Sequence, residues 1–147
     1  MTEISASANN VPEPNLLKKL IHRGAENTKA DLGQSGGAYD IDKVRDLLGN
    51  VSYQAISSMV RHKNLFTVPD QNGKSVFPAV QFTEDGQPVA GLKDVIEALP
   101  TENGLAILNF LVNPHNDLDN IAPIDKLREY EVGAVVIAAR RMGVQGG

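Results

Sequence analysis

The segment DLLGNVSYQAISSMVRHKNLFTVPDQNGKSVFPAVQF, residues 46–82, decides the fold of this chain. A Gly-Asn pair at 49–50 makes a tight turn after one stretch with helical periodicity, and Ser52 can cap a second. Two short apolar runs, Leu65–Val68 and Ser75–Phe77, then flank a polar bend that contains Asn72-Gly73, a strong hairpin signal. The order helix, turn, helix and hairpin predicts a winged helix-turn-helix.

Helical periodicity sets the limits of the two helices. Asp40 can cap the first helix, Ile41–Leu48, and the second helix runs from Ser52 to about His62. Gly49 supplies the C-terminal stop of the first helix. The predicted inward-facing residues are Ile41, Val44, Leu47 and Leu48 on the first helix and Ala55, Ile56, Met59 and Val60 on the second.

The outward face of the second helix carries side chains suited to a DNA major groove. Gln54 can bind adenine, and Arg61 can meet guanine or a phosphate. Lysines around this helix can bind phosphates and set its register, with Lys74 as the contact from the hairpin. The predicted DNA-binding set is Lys43, Arg45, Ser52, Tyr53, Gln54, Ser57, Ser58, Arg61, Lys63 and Lys74. The competing interpretation is a generic small core that never touches DNA.

The same segment resembles the MerR- or excisionase-like helix-turn-helix, and the match covers about a quarter of the chain. In those modules a Leu-Gly-Val-Ser type turn precedes the recognition helix, and a Gly-tipped wing ends near Phe-Pro. This chain departs from the pattern at Asn50, which stands between Gly49 and Val51 where the usual turn has no residue. The resemblance implies a DNA-reading second helix.

The rest of the chain falls into parts on either side of this unit. Residues 1–13 are predicted to be a disordered tail, and residues 14–37 a helix with a flexible Gly-rich joint. Residues 38–88 form the helix-turn-helix domain with its hairpin wing, and residues 89–147 a small helical bundle, so the fold class is mainly α. The predicted helices of the bundle are one that ends at Pro100, Leu105–Val112, Ile124–Arg128 and Glu131–Arg141, with Gly143 as the final stop.

The segment FLVNPHNDLDNIAPIDKLRE, residues 110–129, lies at the centre of a second resemblance. With AILNFL before it and a Val/Ala-rich helix and RRMGVQGG after it, it resembles the toxin-binding domain of the Xre/MbcA/ParS antitoxin family. The matching positions are Pro114, Leu118, Pro123, Ile124 and Leu127. Asp119-Asn120 stands where the family often has Gly-Gly, and Asn tolerates the left-handed conformation that such a turn needs.

This second resemblance implies a protein partner. In the family, a short segment after the last helix reaches toward the active site of a toxin, and many of those toxins are RES-domain enzymes that consume NAD. By resemblance, the toxin-binding residues here are Arg140, Arg141, Met142, Gly143, Val144 and Gln145. From the residues alone, the Val/Ala-rich helix is ordinary core or an apolar stripe for a partner, and both interpretations stay open.

Charge and composition restrict the chemistry. Lys and Arg outnumber Asp and Glu by five to three over residues 41–82, whereas residues 83–147 carry five against ten, so the middle of the chain is the better partner for phosphates. The chain has no Cys, and no Gly-rich phosphate loop follows a strand. His115 with Asp117 and Asp119 lacks the length and closing Glu of a calcium loop, so we expect an Asx-rich turn that caps the helix at Pro123. We expect no enzyme, no catalytic residues, no metal and no cofactor.

These observations lead to a hypothesis with two alternatives. The leading hypothesis is an antitoxin-like transcriptional regulator that binds a double-stranded DNA operator, neutralises a cognate toxin and represses its own operon. One alternative is a stand-alone phage- or plasmid-type regulator whose C-terminal helices only dimerise, and another is an adaptor without DNA contact. We expect a cytoplasmic protein without membrane contact, and a homodimer, because one short recognition helix reads few bases.

Overall fold

The computed structural model of the protein describes the backbone of residues 37–146 and the side chains of residues 37–142. The predicted tail at 1–13 and nearly all of the helix and joint at 14–37 lie outside the described residues. The described part is mainly helical, with a small antiparallel sheet, which confirms the predicted fold class. Its elements are β1 (Ala38–Tyr39), α1 (Ile41–Leu47), α2 (Tyr53–Arg61), β2 (Val68–Pro69), β3 (Ser75–Pro78), α3 (Leu92–Ala98), α4 (Gly104–Val112), α5 (Pro123–Arg128) and α6 (Val132–Gly146).

The predicted caps of the first two helices are confirmed. Asp40 Oδ1 accepts a hydrogen bond from Lys43 N–H at 2.8 Å, and Ser52 Oγ accepts one from Ala55 N–H at 3.0 Å. Between the helices, Gly49 and Asn50 have φ angles of 84° and 63°. Both lie in the left-handed region that Gly and Asn tolerate best, so the additional Asn50 fits into the turn.

The sheet has three strands in the order β1-β3-β2. The hairpin β2–β3 is as predicted, with Val68 opposite Val76. The sequence did not predict β1, whose Tyr39 lies opposite Phe77, because a strand of two residues has no periodicity. Strand β2 is shorter than the predicted run from Leu65, because both backbone polar groups of Phe66 bind the side chain of Gln81 instead of a neighbouring strand.

Two apolar cores lie on either side of the hairpin. The smaller core consists of Val44, Ile56, Leu65, Phe77 and Phe82. The larger core takes Phe66, Val68 and Val80 from the same stretch and joins them to buried residues of α3, α4, α5 and α6. Residues 65–82 therefore form a wall shared by both cores.

Gln81 is the polar centre of this shared wall and has no exposed surface. Its Oε1 accepts a hydrogen bond from Phe66 N–H, and its Nε2 donates to Phe66 O and Pro78 O, at 2.9, 2.9 and 3.1 Å. From α5, Arg128 Nη2 donates to Val80 O at 3.0 Å. The contacts of Arg128 and the larger core cross the predicted domain boundary between residues 88 and 89.

The helical bundle corrects two predictions. The cap of α5 is Ala122, which makes no side-chain cap hydrogen bond, so the predicted Asx cap for the helix at Pro123 is wrong. The polar turn closes on itself instead: His115 Nδ1 accepts from Asp117 N–H at 3.1 Å, and Asp119 and Asn120 have φ angles of 59° and 61°.

The predicted helix stop at Gly143 is also wrong, because α6 continues to Gly146. A glycine inside a helix costs only about 1 kcal/mol relative to Ala and does not by itself end it. None of the helices within residues 37–146 combines the length and apolar character needed to cross a membrane.

Candidate nucleic-acid interface

Helix α2 has one buried side and one polar side. Ile56 is fully buried in the smaller core, and Met59 and Val60 pack partly buried against that core, as predicted. On the opposite side, Gln54, Ser57 and Arg61 are exposed at helical spacing. Because Ile56 fixes the rotation of the helix, these three side chains point to solvent along one continuous face.

The turn before α2 is held by three side chains. Arg45 Nε donates to Val51 O at 2.9 Å, and its guanidinium carbon lies 4.3 Å from the centre of the Tyr53 ring, within cation–π range. Tyr53 Oη donates to Asp42 Oδ1 at 2.6 Å. Arg45, Tyr53 and the capping Ser52 were all predicted to contact DNA, and each has an internal partner. Arg45 and Tyr53 connect α1 to the turn and to α2, whereas Ser52 caps α2.

The C-terminal end of α2 is bound to the helical bundle. Lys93 Nζ, from α3, donates to His62 O at 2.6 Å and forms an ion pair with Glu97 at 3.1 Å. His62 Nδ1 lies 2.8 Å from Ser58 O and 3.2 Å from Ser58 Oγ, so the predicted contact Ser58 already has an internal partner. Sequence patterns missed Lys93, because it lies 31 residues after its partner.

The hairpin turn is fixed by Asp70, whose Oδ1 accepts hydrogen bonds from the backbone N–H groups of Asn72 and Lys74 at 2.8 and 2.9 Å. The side chain of Lys74 is exposed, as is that of Lys43 on α1, whereas Lys63 is half-buried with φ 68°. Among residues 37–142, no carboxylate forms an ion pair with Lys43, Arg61 or Lys74. These cations remain available to an external anion as far as those residues are concerned.

The second predicted set of site residues lies on another element, the last turns of α6. Arg140, Arg141 and Met142 are exposed, and Arg141 Nη1 lies 3.5 Å from Asp117 Oδ2. The side chains of Val144 and Gln145 lie outside the described residues. Since α6 is helical as far as Gly146, these positions belong to the end of a helix.

One cation of the bundle has a shifted pKa. Lys126 Nζ donates a hydrogen bond to Glu131 Oε2 at 3.2 Å, and this bond with the nearby carboxylates raises the pKa of Lys126 above its ordinary 10.5. Lys126 is therefore protonated at neutral pH and belongs to an ion pair on the surface of the bundle, outside the predicted DNA-binding set.

The chain is similar in structure to a known protein. No protein-family model matches the chain, and neither does any curated protein. The chain is similar to a solved structure described as the NMR structure of Rv2175c, with a TM-score of 0.62 and 28% sequence identity. The match covers 71% of this chain and 80% of that chain, which supports a shared fold over most of the described residues.

Proposed function

We propose that the protein is a DNA-binding transcriptional regulator, with α2 as its recognition helix and the β2–β3 hairpin as its wing. The observation that carries this proposal is the polar face of α2, where Gln54, Ser57 and Arg61 are exposed on a helix whose other side is locked by Ile56. An α-helix fits the major groove, and these side chains have the donors and acceptors that read base edges there.

The polar face of α2 is unused by the rest of the described chain. Within residues 37–142, the side chains of Gln54, Ser57 and Arg61 form no hydrogen bond with one another or with other residues. Around it, Arg45, Tyr53 and Lys93 hold both ends of the helix in place. A helix that reads bases must keep a fixed position, and these contacts provide one.

The proposed roles follow from position. Arg61 and Gln54 contact base edges, while Lys43 on α1 and Lys74 on the wing bind phosphates on either side of the groove. The excess of two positive charges over residues 41–82 attracts DNA, and the excess of five negative charges over residues 83–147 turns the bundle away from it. A regulator of this kind acts in the cytoplasm and represses the operon that it binds.

A gel-shift experiment with the full chain tests this function. The probes are the DNA upstream of the protein's own reading frame and an unrelated fragment of equal length, at about 50 mM salt and protein up to on the order of 100 μM, where non-specific binding is already expected. Arg61→Gln should weaken binding to the upstream fragment by about 1–3 kcal/mol and reduce the preference over the unrelated one. Lys74→Gln should weaken binding to both fragments. It should also reduce the slope of log affinity against log salt concentration by about 1.

The matched control is Arg141→Gln, which removes the same charge from an exposed Arg of α6. It should leave the affinity for both fragments unchanged. Absence of a shift for the wild-type chain at low salt would refute DNA binding. Equal losses for Arg61→Gln and Arg141→Gln would refute the assignment of α2 as the recognition helix.

The exposed end of α6 favours a second candidate function, the neutralisation of a cognate toxin, in line with the antitoxin resemblance. Arg140 and Met142 are exposed there on a well-packed helix. The test is co-purification of the full chain with the product of a neighbouring reading frame, together with protection of cells from that product. Removal of residues 140–147 should abolish protection and Lys74→Gln should not; protection by the shortened chain would contradict the assignment.

A further inference from the structure

The seam between α3 and α6 carries an open groove of about 520 Å³ on the surface of the bundle. Its lining residues are Asp94, Glu97, Ala98, Gly133, Val136, Ile137 and Arg140. Ile137 is 56% exposed, although it lines the groove. We propose that this groove is the two-fold interface of a homodimer, in which the α6 helices of two protomers cross antiparallel at Ile137.

The direction of the two helices sets the charge pattern of the groove. Gly91, at the start of α3, lies against Val132, the first residue of α6, so close that a Cβ at position 91 would be 2.6 Å from a Val132 methyl group. The two helices pack against each other and begin together, and Ala98 and Arg140, further along each helix, line the same groove. The helices therefore run in the same direction. Asp94 therefore lies level with the first turn of α6, and Arg140 lies about two turns further along.

The groove carries Asp94 at one end and Arg140 at the other, while its second carboxylate, Glu97, is already paired with Lys93. Such a groove fits a second copy of itself. A two-fold axis at Ile137 reverses the order of the ends, so the partner subunit's Arg140 meets Asp94, and Arg140 meets the partner subunit's Asp94. Among residues 37–142, neither Asp94 nor Arg140 has an ion-pair partner. A partner segment of uniform charge would meet a like charge at one end, which is unfavourable.

The apolar part of the groove has the shape that such a crossing needs. Gly133 has open space where a Cβ would stand, so another helix can approach the α6 backbone closely at this point. The partner subunit's Ile137 would lie between Gly133 and Ala98 and lose its contact with water. Each protomer contributes both a groove and an exposed side of α6, so the contact occurs twice across the two-fold axis. Both contacts add to the buried area, which is roughly 1,200 Å² or more in stable interfaces.

The proposed function gives the dimer a purpose, because a second protomer supplies a second recognition helix; only in this respect does the inference rest on it. The experiment is therefore a measurement of mass without DNA. Sedimentation equilibrium of the full chain from about 1 to about 200 μM covers micromolar dissociation constants. We expect the mean mass to rise from 15.8 kDa toward twice that value.

Variants locate the interface. Ile137→Glu should raise the dissociation constant at least about 10-fold, because it places a charge at the crossing point. Arg140→Asp and Asp94→Arg should each weaken the dimer by like-charge repulsion, and the double variant should restore it, because the pair is then reversed in both protomers. The control is Ala106→Glu at an exposed position of α4, which should leave the mass curve unchanged. Circular dichroism checks that every variant is folded.

A wild-type chain that stays monomeric at the highest concentration overturns the inference. A dimer whose dissociation constant is unchanged by Ile137→Glu assembles through another surface, which also overturns the inference. The same holds if the double variant does not regain the wild-type dissociation constant. The two proposals fail separately. A monomer that binds DNA in the gel shift supports the proposed function but not this interface. A dimer that does not bind DNA supports this interface but not the proposed function.

Discussion

The two regions of the molecule are stabilised in different ways. The helix-turn-helix contributes five buried residues to its own core, whereas the larger core has eighteen within the described part of the chain. A fully buried apolar side chain contributes about 1.5–3 kcal/mol, and a hydrogen bond about 0.5–1.5 kcal/mol net. Two caps and the Arg45 and Tyr53 contacts are therefore a large share of the smaller region's stability and a small share of the whole. In this molecule the helix-turn-helix therefore depends more on polar contacts, and the helical bundle more on burial.

The largest expected effect is that of a cavity in the larger core. Leu127→Ala removes a fully buried side chain of α5 and should lower the free energy of unfolding by about 3 kcal/mol, measured by urea titration. If the shared wall couples the two regions, hydrogen exchange of the α2 amides should accelerate together with that of α4. Faster exchange confined to residues 89–146 would show that the two regions unfold independently.

A smaller effect is expected at the polar centre of the shared wall. Gln81→Leu leaves the N–H and carbonyl of Phe66 without their partner in a buried site and should cost about 2 kcal/mol. Gln87→Leu is the matched control, because Gln87 is exposed and the substitution should change stability by less than about 0.5 kcal/mol. Equal urea midpoints for the two variants would mean that the wall depends on its apolar residues alone.

The smallest effect is expected at the turn before α2. Arg45→Met keeps the aliphatic stem but loses the hydrogen bond to Val51 O and the charge over Tyr53, which should cost about 1 kcal/mol. The effect on local opening of the turn, measured as faster hydrogen exchange at residues 49–55, should exceed the effect on the global free energy of unfolding. Lys43→Met, which changes the same charge on the same helix, should leave both quantities near wild type. Equal unfolding free energies and equal exchange rates for the two variants would show that Arg45 does not hold the turn in place.

Local chemistry was readable from the sequence, and contacts across the fold were not. Asp40, Ser52 and the Gly-Asn turn act within a few residues of themselves, so their roles followed from spacing. Strand β1 was too short for a pattern, and the hydrogen bonds of Gln81 and Lys93 join residues 15 and 31 positions apart. For the candidate site, the exposed face of α2 was predicted, but the internal use of Arg45 and Tyr53 depends on the angle between two helices.

The wall shared by the two cores limits how the protein can be divided. A fragment that ends at residue 88 keeps the whole helix-turn-helix and its wing, but it leaves Phe66, Val68 and Val80 without the helices that cover them. These three apolar side chains would then be exposed together, and such a patch favours aggregation. The helix-turn-helix is therefore not an independent folding unit, and a chimaera that contains it must also contain α3–α6.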